Sequence, residues 1–227
     1  MALNLQSGNM YDFITHTWNP IKGKCSHTCS YCYMHQERLK ALRLDEKDLQ
    51  TDLGESNVIF VGSSTDMWAK DVPEEWIRAV IERCDPADNR FLFQSKNPRR
   101  LLSMPNNANF IFGTTIETNR DYKISQAPIA LLRAGTMKAL RESGSEVMVT
   151  IEPIMDFDLV AFSMLIEDIR PSWVNIGADS KGHKLPEPSW EKVQNLIKIL
   201  KTFTGVREKK NIGRLKRGVI NHQTEGV

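Results

Sequence analysis

The chain contains no apolar run near the ~20 residues that a membrane-spanning helix needs, so no span is expected. Its first residues, Met-Ala-Leu-Asn-Leu-Gln-Ser, lack a basic stretch followed by an apolar one. No secretory leader is read there, and a cytoplasmic protein is expected. There is no Pro/Gly/Ser-rich spacer, no low-complexity run and no repeat of fixed period, which argues for one domain across most of the 227 residues. Charge of one sign is not in excess: 30 Lys and Arg against 28 Asp and Glu leave a net +2. That balance neither demands nor excludes a nucleic-acid partner. Cysteine is scarce, with 4 in the whole chain. Three clustered thiols pair poorly, so a disulfide framework is not expected.

Those three thiols carry the strongest signal. Cys25, Cys29 and Cys32 stand in Cys-Ser-His-Thr-Cys-Ser-Tyr-Cys-Tyr, with Tyr31 just before the third. Three thiolates on one loop suit three irons of a [4Fe–4S] cube and leave the fourth iron open to a ligand. A structural zinc site closes with four Cys/His ligands, and His27, His16 or His35 offer a fourth, but no second Cys/His pair lies at finger-like spacing. Unligated thiols are the remaining reading. Cys84 stands apart and reads as a plain thiol.

Short apolar runs alternate with helical patterns. Strands are expected at Phe13–Thr15, Val58–Val61, Phe91–Phe93, Phe110–Phe112, Val147–Ile151 and Trp173–Ile176. Helices are expected at Tyr33–Leu44, from Val72-Pro73, at Asn97-Pro98, at Ile129–Glu142, at Leu159–Ile169 and from Pro188. Six β/α units with crossover helices imply an α/β fold with a parallel sheet, open or closing into a partial barrel. Ligands then bind beyond the carboxyl ends of the strands. Polar residues gather at those ends: Ser63 to Asp66, Gln94 to Lys96, Thr114, Thr115 and Glu117, Glu152, and Asn175 with Asp179.

The cysteine loop with Tyr31, followed by six β/α units, resembles the radical S-adenosylmethionine (SAM) superfamily. Thr17-Trp18-Asn19-Pro20, Gly62-Ser63-Ser64-Thr65-Asp66, Ser95-Lys96-Asn97-Pro98 and Ile151-Glu152-Pro153 are most similar to small phage-associated radical SAM proteins. The cysteine region is also similar to that of the spore photoproduct lyase family, which repairs DNA. The resemblance covers about residues 13–200. It implies a partial (β/α)6 barrel in which a [4Fe–4S] cluster on Cys25, Cys29 and Cys32 reductively cleaves SAM. The resulting 5′-deoxyadenosyl radical then abstracts a substrate hydrogen.

The same resemblance implies roles for single residues. Tyr31 lies against the adenine. Gly62, Ser63 and Ser64 occupy the place of the family's Gly-Gly-Glu segment, which receives the SAM amino group; the second Gly and the Glu are absent here. Asp66 is the candidate replacement acceptor. Glu117, with Thr115 beside it, is the candidate for the ribose hydroxyls, because a carboxylate accepts two hydrogen bonds. Lys96 pairs with the SAM carboxylate or a substrate anion, and Glu152 and Asn175 contact adenine or substrate. An external electron donor of flavodoxin or ferredoxin type is implied.

The substrate is the least determined part. Arg207, Lys209, Lys210, Arg214, Lys216 and Arg217 form a basic stretch that suits phosphate contacts or a solvated tail. The expected division is a core over 1–204 and a basic tail over 205–227. A nucleobase or nucleic-acid substrate follows from the photoproduct-lyase and phage analogy alone. Two further readings stay open: a metal-stabilised, zinc-bearing nucleic-acid-binding module, and an iron–sulfur electron carrier.

Overall fold

The computed structural model describes residues 3–6, 8–34, 38–105 and 107–216. An eight-stranded sheet runs in the order β1 (Asn4–Leu5), β2 (His16–Trp18), β5 (Val58–Val61), β6 (Arg90–Gln94), β7 (Phe110–Thr115), β8 (Glu146–Ile151), β9 (Trp173–Ile176) and β10 (Gly205–Glu208). All neighbours from β2 to β10 are parallel, and only β1 is antiparallel, at the edge. A small hairpin, β3 (Ile21–Lys22) with β4 (Arg43–Leu44), stands outside the sheet. The helices are a short α1 (Glu46–Leu49), then α2 (Glu74–Cys84), α3 (Ala130–Glu142), α4 (Leu159–Ile169) and α5 (Trp190–Leu200). A 3₁₀ segment, Pro98–Ser103, follows β6.

Strand parity explains the winding. Ile59, Val61, Phe91, Phe93, Phe110, Phe112, Val147, Val149, Val174 and Ile176 share one core with the apolar faces of α2, α3, α4 and α5. Phe60, Leu92, Ile111, Met148 and Trp173, one residue out of phase, form a second cluster with Tyr11 and Ile14. All the long helices therefore cover one face, and the strands follow in sequential order. That is a partial-barrel winding, not a doubly wound sheet with helices on both faces. Phe93 meets Phe110 edge-on at 5.1 Å and Trp68 at 5.9 Å, an aromatic seam under the sheet.

The expected parallel α/β architecture is present, with local differences. The first parallel strand is His16–Trp18, not Phe13–Thr15. Phe13 instead stacks on Tyr11 and meets Trp173 edge-on at 5.2 Å, because the inner face offers those rings an apolar surface. The helix expected over Tyr33–Leu44 does not form among its described residues: Arg43–Leu44 pair as β4, and Lys24 donates its backbone N–H to Lys40 O at 3.0 Å. The hairpin's ladder captures the backbone that the helix would have used. The stretch from residue 205 begins inside the sheet, since Gly205–Glu208 is β10, paired with β9. His35, Arg217 and the rest of 217–227 lie outside the described residues.

Gly23 holds the hairpin close. At φ +118° an added Cβ would stand 2.4 Å from Ala41 O and 2.7 Å from Leu42 Cα, backbone atoms that cannot swing aside. Gly8, at φ +75°, has nothing within 4 Å of its Cβ position. Gly23→Ala is therefore expected to cost about 3 kcal/mol or more, against about 1–2 kcal/mol for Gly8→Ala. Thermal unfolding should show a drop of roughly 6–12 °C for the first. Equal drops in the two variants would sink the close-approach explanation.

Candidate functional site

The cysteine loop hangs beyond the carboxyl ends of β2 and β5 and is tied down from across the sheet. Ser30 donates its N–H to Ile124 O at 2.9 Å, and Gln126 donates to His27 O at 2.7 Å, so the loop after β7 holds both halves of it. Thr28 takes a left-handed φ of 45° in the turn between the first two thiols. Cys25, Cys29 and Cys32 are partly buried. Burial pushes the Cys25 thiol up to about 12, with the Asp66 carboxylate adding to it. Burial also raises Cys29, while the Lys96 ammonium pulls the other way. Loading a metal on such thiols displaces protons.

Lys96, at the end of β6, joins the loop to the sheet. Its Nζ lies 3.3 Å from Cys29 Sγ, 3.0 Å from Glu117 Oε1 and 4.1 Å above the Tyr31 ring, and it also meets the Tyr31 hydroxyl. The Tyr31 hydroxyl donates to Glu117 Oε1. Glu117, 1% exposed, receives Arg133 Nη2 at 3.0 Å on its other oxygen. Burial opposes its charge, but the Lys96 and Arg133 cations overcome that and hold the carboxyl at about 2. Arg133 also donates to Thr115 O, and the Thr115 hydroxyl accepts from Gln94 Nε2 at 3.0 Å.

Two further knots complete this side. Asp66 accepts from Ser95 Oγ at 2.9 Å, from the Lys96 N–H at 2.9 Å and from the Trp68 N–H at 2.9 Å, and His27 Nε2 lies 2.8 Å from it. Its oxygens are thus engaged in joining the cysteine loop to β5 and β6. Asn19 Oδ1 accepts from the Ser64 N–H at 2.8 Å and from the hydroxyls of Ser63 and Ser64, fixing the turn at Gly62, whose φ is +75°. Glu152 and Asn175 belong to a different group. Glu152 accepts from Asn9 at 3.0 Å and Asn211 at 2.7 Å, and pairs with Lys209 at 2.5 Å. The buried Asn175 amide points to Met148 Sδ at 3.4 Å. Neither shares a hydrogen bond with Tyr31, Lys96 or Glu117.

Sequence reasoning missed Arg133, Asn9, Lys209 and Asn211 as site neighbours, and left Asn19 without a role. Arg133 had a signal: it shares the apolar face of α3 with Ala134, Met137 and Leu140, where an unpaired charge would be costly. The other three come from the two ends of the chain, and no local pattern links them.

The donor set suits a thiolate-held cluster: three sulfurs on one short loop, with an ammonium over one of them. Among the described residues, no three His, Cys, Asp or Glu side chains already stand at metal-cage spacing. Cys84 is buried in α2, and burial raises its thiol, as expected for an inert packing residue.

The chain belongs to the family described as "Protein of unknown function (DUF5131)", which matches residues 9–196. No curated protein matches it in sequence. Its fold is similar to that of spore photoproduct lyase. A cysteine-to-serine mutant of that enzyme superposes with a TM-score of 0.64 at 14% identity, covering 90% of this chain and 79% of that one. A mutant with bound AdoMet and dinucleoside spore photoproduct gives 0.64 at 12%, covering 91% and 80%. A third, with the dinucleoside photoproduct, gives 0.63 at 12% over the same shares.

The depressed Glu117 carboxyl links stability to pH. Its ionised form adds stability above the ordinary glutamate value of 4.5, and that part is lost as pH falls toward about 2. A gap of this size corresponds to roughly 3 kcal/mol. Glu117→Gln should be about 3 kcal/mol less stable at neutral pH, since it strands the buried Arg133 and the half-buried Lys96. Its urea-unfolding free energy should also vary less between about pH 5 and pH 2. An unchanged acid slope would refute the assignment.

Proposed function

We propose that this protein is a radical SAM enzyme acting on a nucleobase or nucleic-acid substrate. The carrying observation is the Cys29–Lys96–Tyr31–Glu117 junction, which binds a three-thiol loop to the carboxyl-end rim of a parallel sheet. The fold shared with spore photoproduct lyase supports the reading, and the AdoMet and dinucleoside bound in its mutants support the choice of ligands.

Cys25, Cys29 and Cys32 would hold a [4Fe–4S] cluster, which, reduced by an external flavodoxin- or ferredoxin-type donor, supplies the electron that cleaves SAM to methionine and a hydrogen-abstracting 5′-deoxyadenosyl radical. Lys96 offsets thiolate charge and offers its ammonium to the SAM carboxylate. Gly62 lets the backbone turn sharply, so that the 62–64 segment meets the amino group, with Asn19 fixing both serines. Glu117, kept ionised by its two cations, accepts the ribose hydroxyls, and Tyr31 flanks the adenine. Asp66 orients His27 and the loop and acts as a positioning residue. Glu152 and Asn175 stand on the substrate side.

One observation favours a second reading. The His27 ring has one nitrogen on the Asp66 carboxylate, the arrangement often seen behind a metal-ligating histidine, which suits zinc bound by three cysteines and His27. Metal analysis after anaerobic purification separates the two: about four irons per chain for the first, and about one zinc for the second.

The decisive test is anaerobic reconstitution with SAM and dithionite, followed by chromatography for 5′-deoxyadenosine. The parent should form it, and Cys29→Ala should fall to background, a loss of about 100-fold or more. A cluster-loaded parent that neither binds nor cleaves SAM would leave an electron carrier as the better reading.

A further inference from the structure

Beside the cysteine loop lies a cavity of about 480 Å³ that shares only Asn19 and Ser64 with the segment assigned above to the SAM amino group. Its walls come from β1, β2, the β3–β4 hairpin, Met34 and residues 38–40, and it reaches Ser64 and Thr65. Lys22, Arg38, Lys40 and Arg43 line it, against a single acid, Asp48. Asp48 is already spent on Lys22 at 2.6 Å, and Asp45 adds a second contact to Lys22 at 3.0 Å. Among the described residues neither Lys40 nor Arg43 has an ion-pair partner, and both are exposed. Among the described residues the concavity therefore carries more positive than negative charge, with Asp45 near enough to Arg43 to feel its field.

An aromatic ring stands at its border. Tyr33 is 50% exposed, precedes the lining residue Met34, and donates its hydroxyl to Ser63 O, next to the lining residue Ser64. The hydroxyl anchors the half-exposed residue at that border. Cations along a groove with an aromatic side chain beside them form the arrangement that holds single strands: phosphates track the charges and an unstacked base lies on the ring. An acidic protein would match the charge, but it gives no use for a concavity or a half-exposed ring at its border.

We propose that this groove binds a single-stranded nucleic-acid segment, with phosphates at Lys40 and Arg43 and a base on Tyr33. The site rests on the nucleic-acid reading above and extends it: the strand would be held beside the Gly62–Ser64 turn, with the reacting base delivered over the rim from its flank.

Fluorescence polarisation of a labelled oligothymidylate, with the anaerobically purified full chain, tests this without any turnover. Lys40→Glu/Arg43→Glu should weaken binding about tenfold or more, and should lower the salt slope by about 1.4, the value for two single-strand phosphates. Tyr33→Ala should weaken binding about tenfold, whereas Tyr33→Phe, which keeps the ring, should bind like the parent. Unchanged affinity and slope in the double variant, with its melting temperature preserved, would overturn the groove while leaving a nucleic-acid substrate standing. A parent that binds no oligonucleotide even at low salt would overturn the groove and the nucleic-acid substrate, leaving only a free nucleobase or nucleotide. If the double variant keeps its oligonucleotide affinity but loses reduction by an acidic flavodoxin-type protein, the surface is a donor-docking face and the proposal fails.

Discussion

A buried carboxylate between two cations is the constraint on which the cysteine side of this protein depends. Glu117 is almost wholly out of water, so its charge persists only because Lys96 and Arg133 reach it from different elements. Lys96 comes from the end of β6, Arg133 from α3, and Tyr31 from the cysteine loop. Satisfying one charge therefore fixes the loop, a strand end and a helix relative to each other. The thiols inherit their position from that requirement, since Lys96 Nζ also lies on Cys29 Sγ.

The opposite side repeats the device with Glu152 at its centre. Asn9 arrives from the start of the chain, and Lys209 and Asn211 from the far end, and all three meet the same carboxylate. Gly177 makes room for this: a Cβ there would stand 2.7 Å from Glu152 Oε1 and 2.8 Å from Asn211 Oδ1. The carboxylate thus bridges the two margins of an incomplete barrel. Arg207 adds to the closure, lying 4.9 Å from both the Phe13 and Trp173 rings while pairing with Asp12.

Much of the architecture was legible because parallel strands buried on both faces read as continuous apolar runs, such as Val58–Val61 and Phe91–Phe93. That the thiol loop, Lys96 and Glu117 would gather at one rim was legible for a related reason, since all follow the carboxyl ends of parallel strands. What failed was local pattern without local cause. Tyr33–Leu44 reads as a helix, yet Gly23 brings the β3 side so near residues 41–42 that a strand pairing takes Arg43–Leu44. β10 was hidden because Gly205-Val206-Arg207-Glu208 is short, polar and at the sheet edge, where exposure erases the apolar signature. Phe13 read as a strand residue because rings favour strands, but a half-open barrel also needs rings to cover its inner face.

That cover has a consequence for how the two sides communicate. Tyr11, buried under the inner face, donates its hydroxyl to Gln94 Oε1 at 2.7 Å and shares a second bond with Thr150 Oγ1 at 2.8 Å. Gln94 in turn donates to Thr115, whose carbonyl accepts from Arg133, the partner of Glu117. Lys209, bound to Glu152, lies 4.8 Å from the Tyr11 ring. Hydrogen bonds therefore run from the Glu117 knot to Tyr11, and the Lys209 ammonium over the Tyr11 ring joins them to the Glu152 knot. Out of water each unpaired member would be costly, so the chain holds only while every link is made. The segment that covers the inner face thus touches both carboxylate centres, Glu152 directly through Asn9 and Glu117 through Tyr11, Gln94 and Thr115.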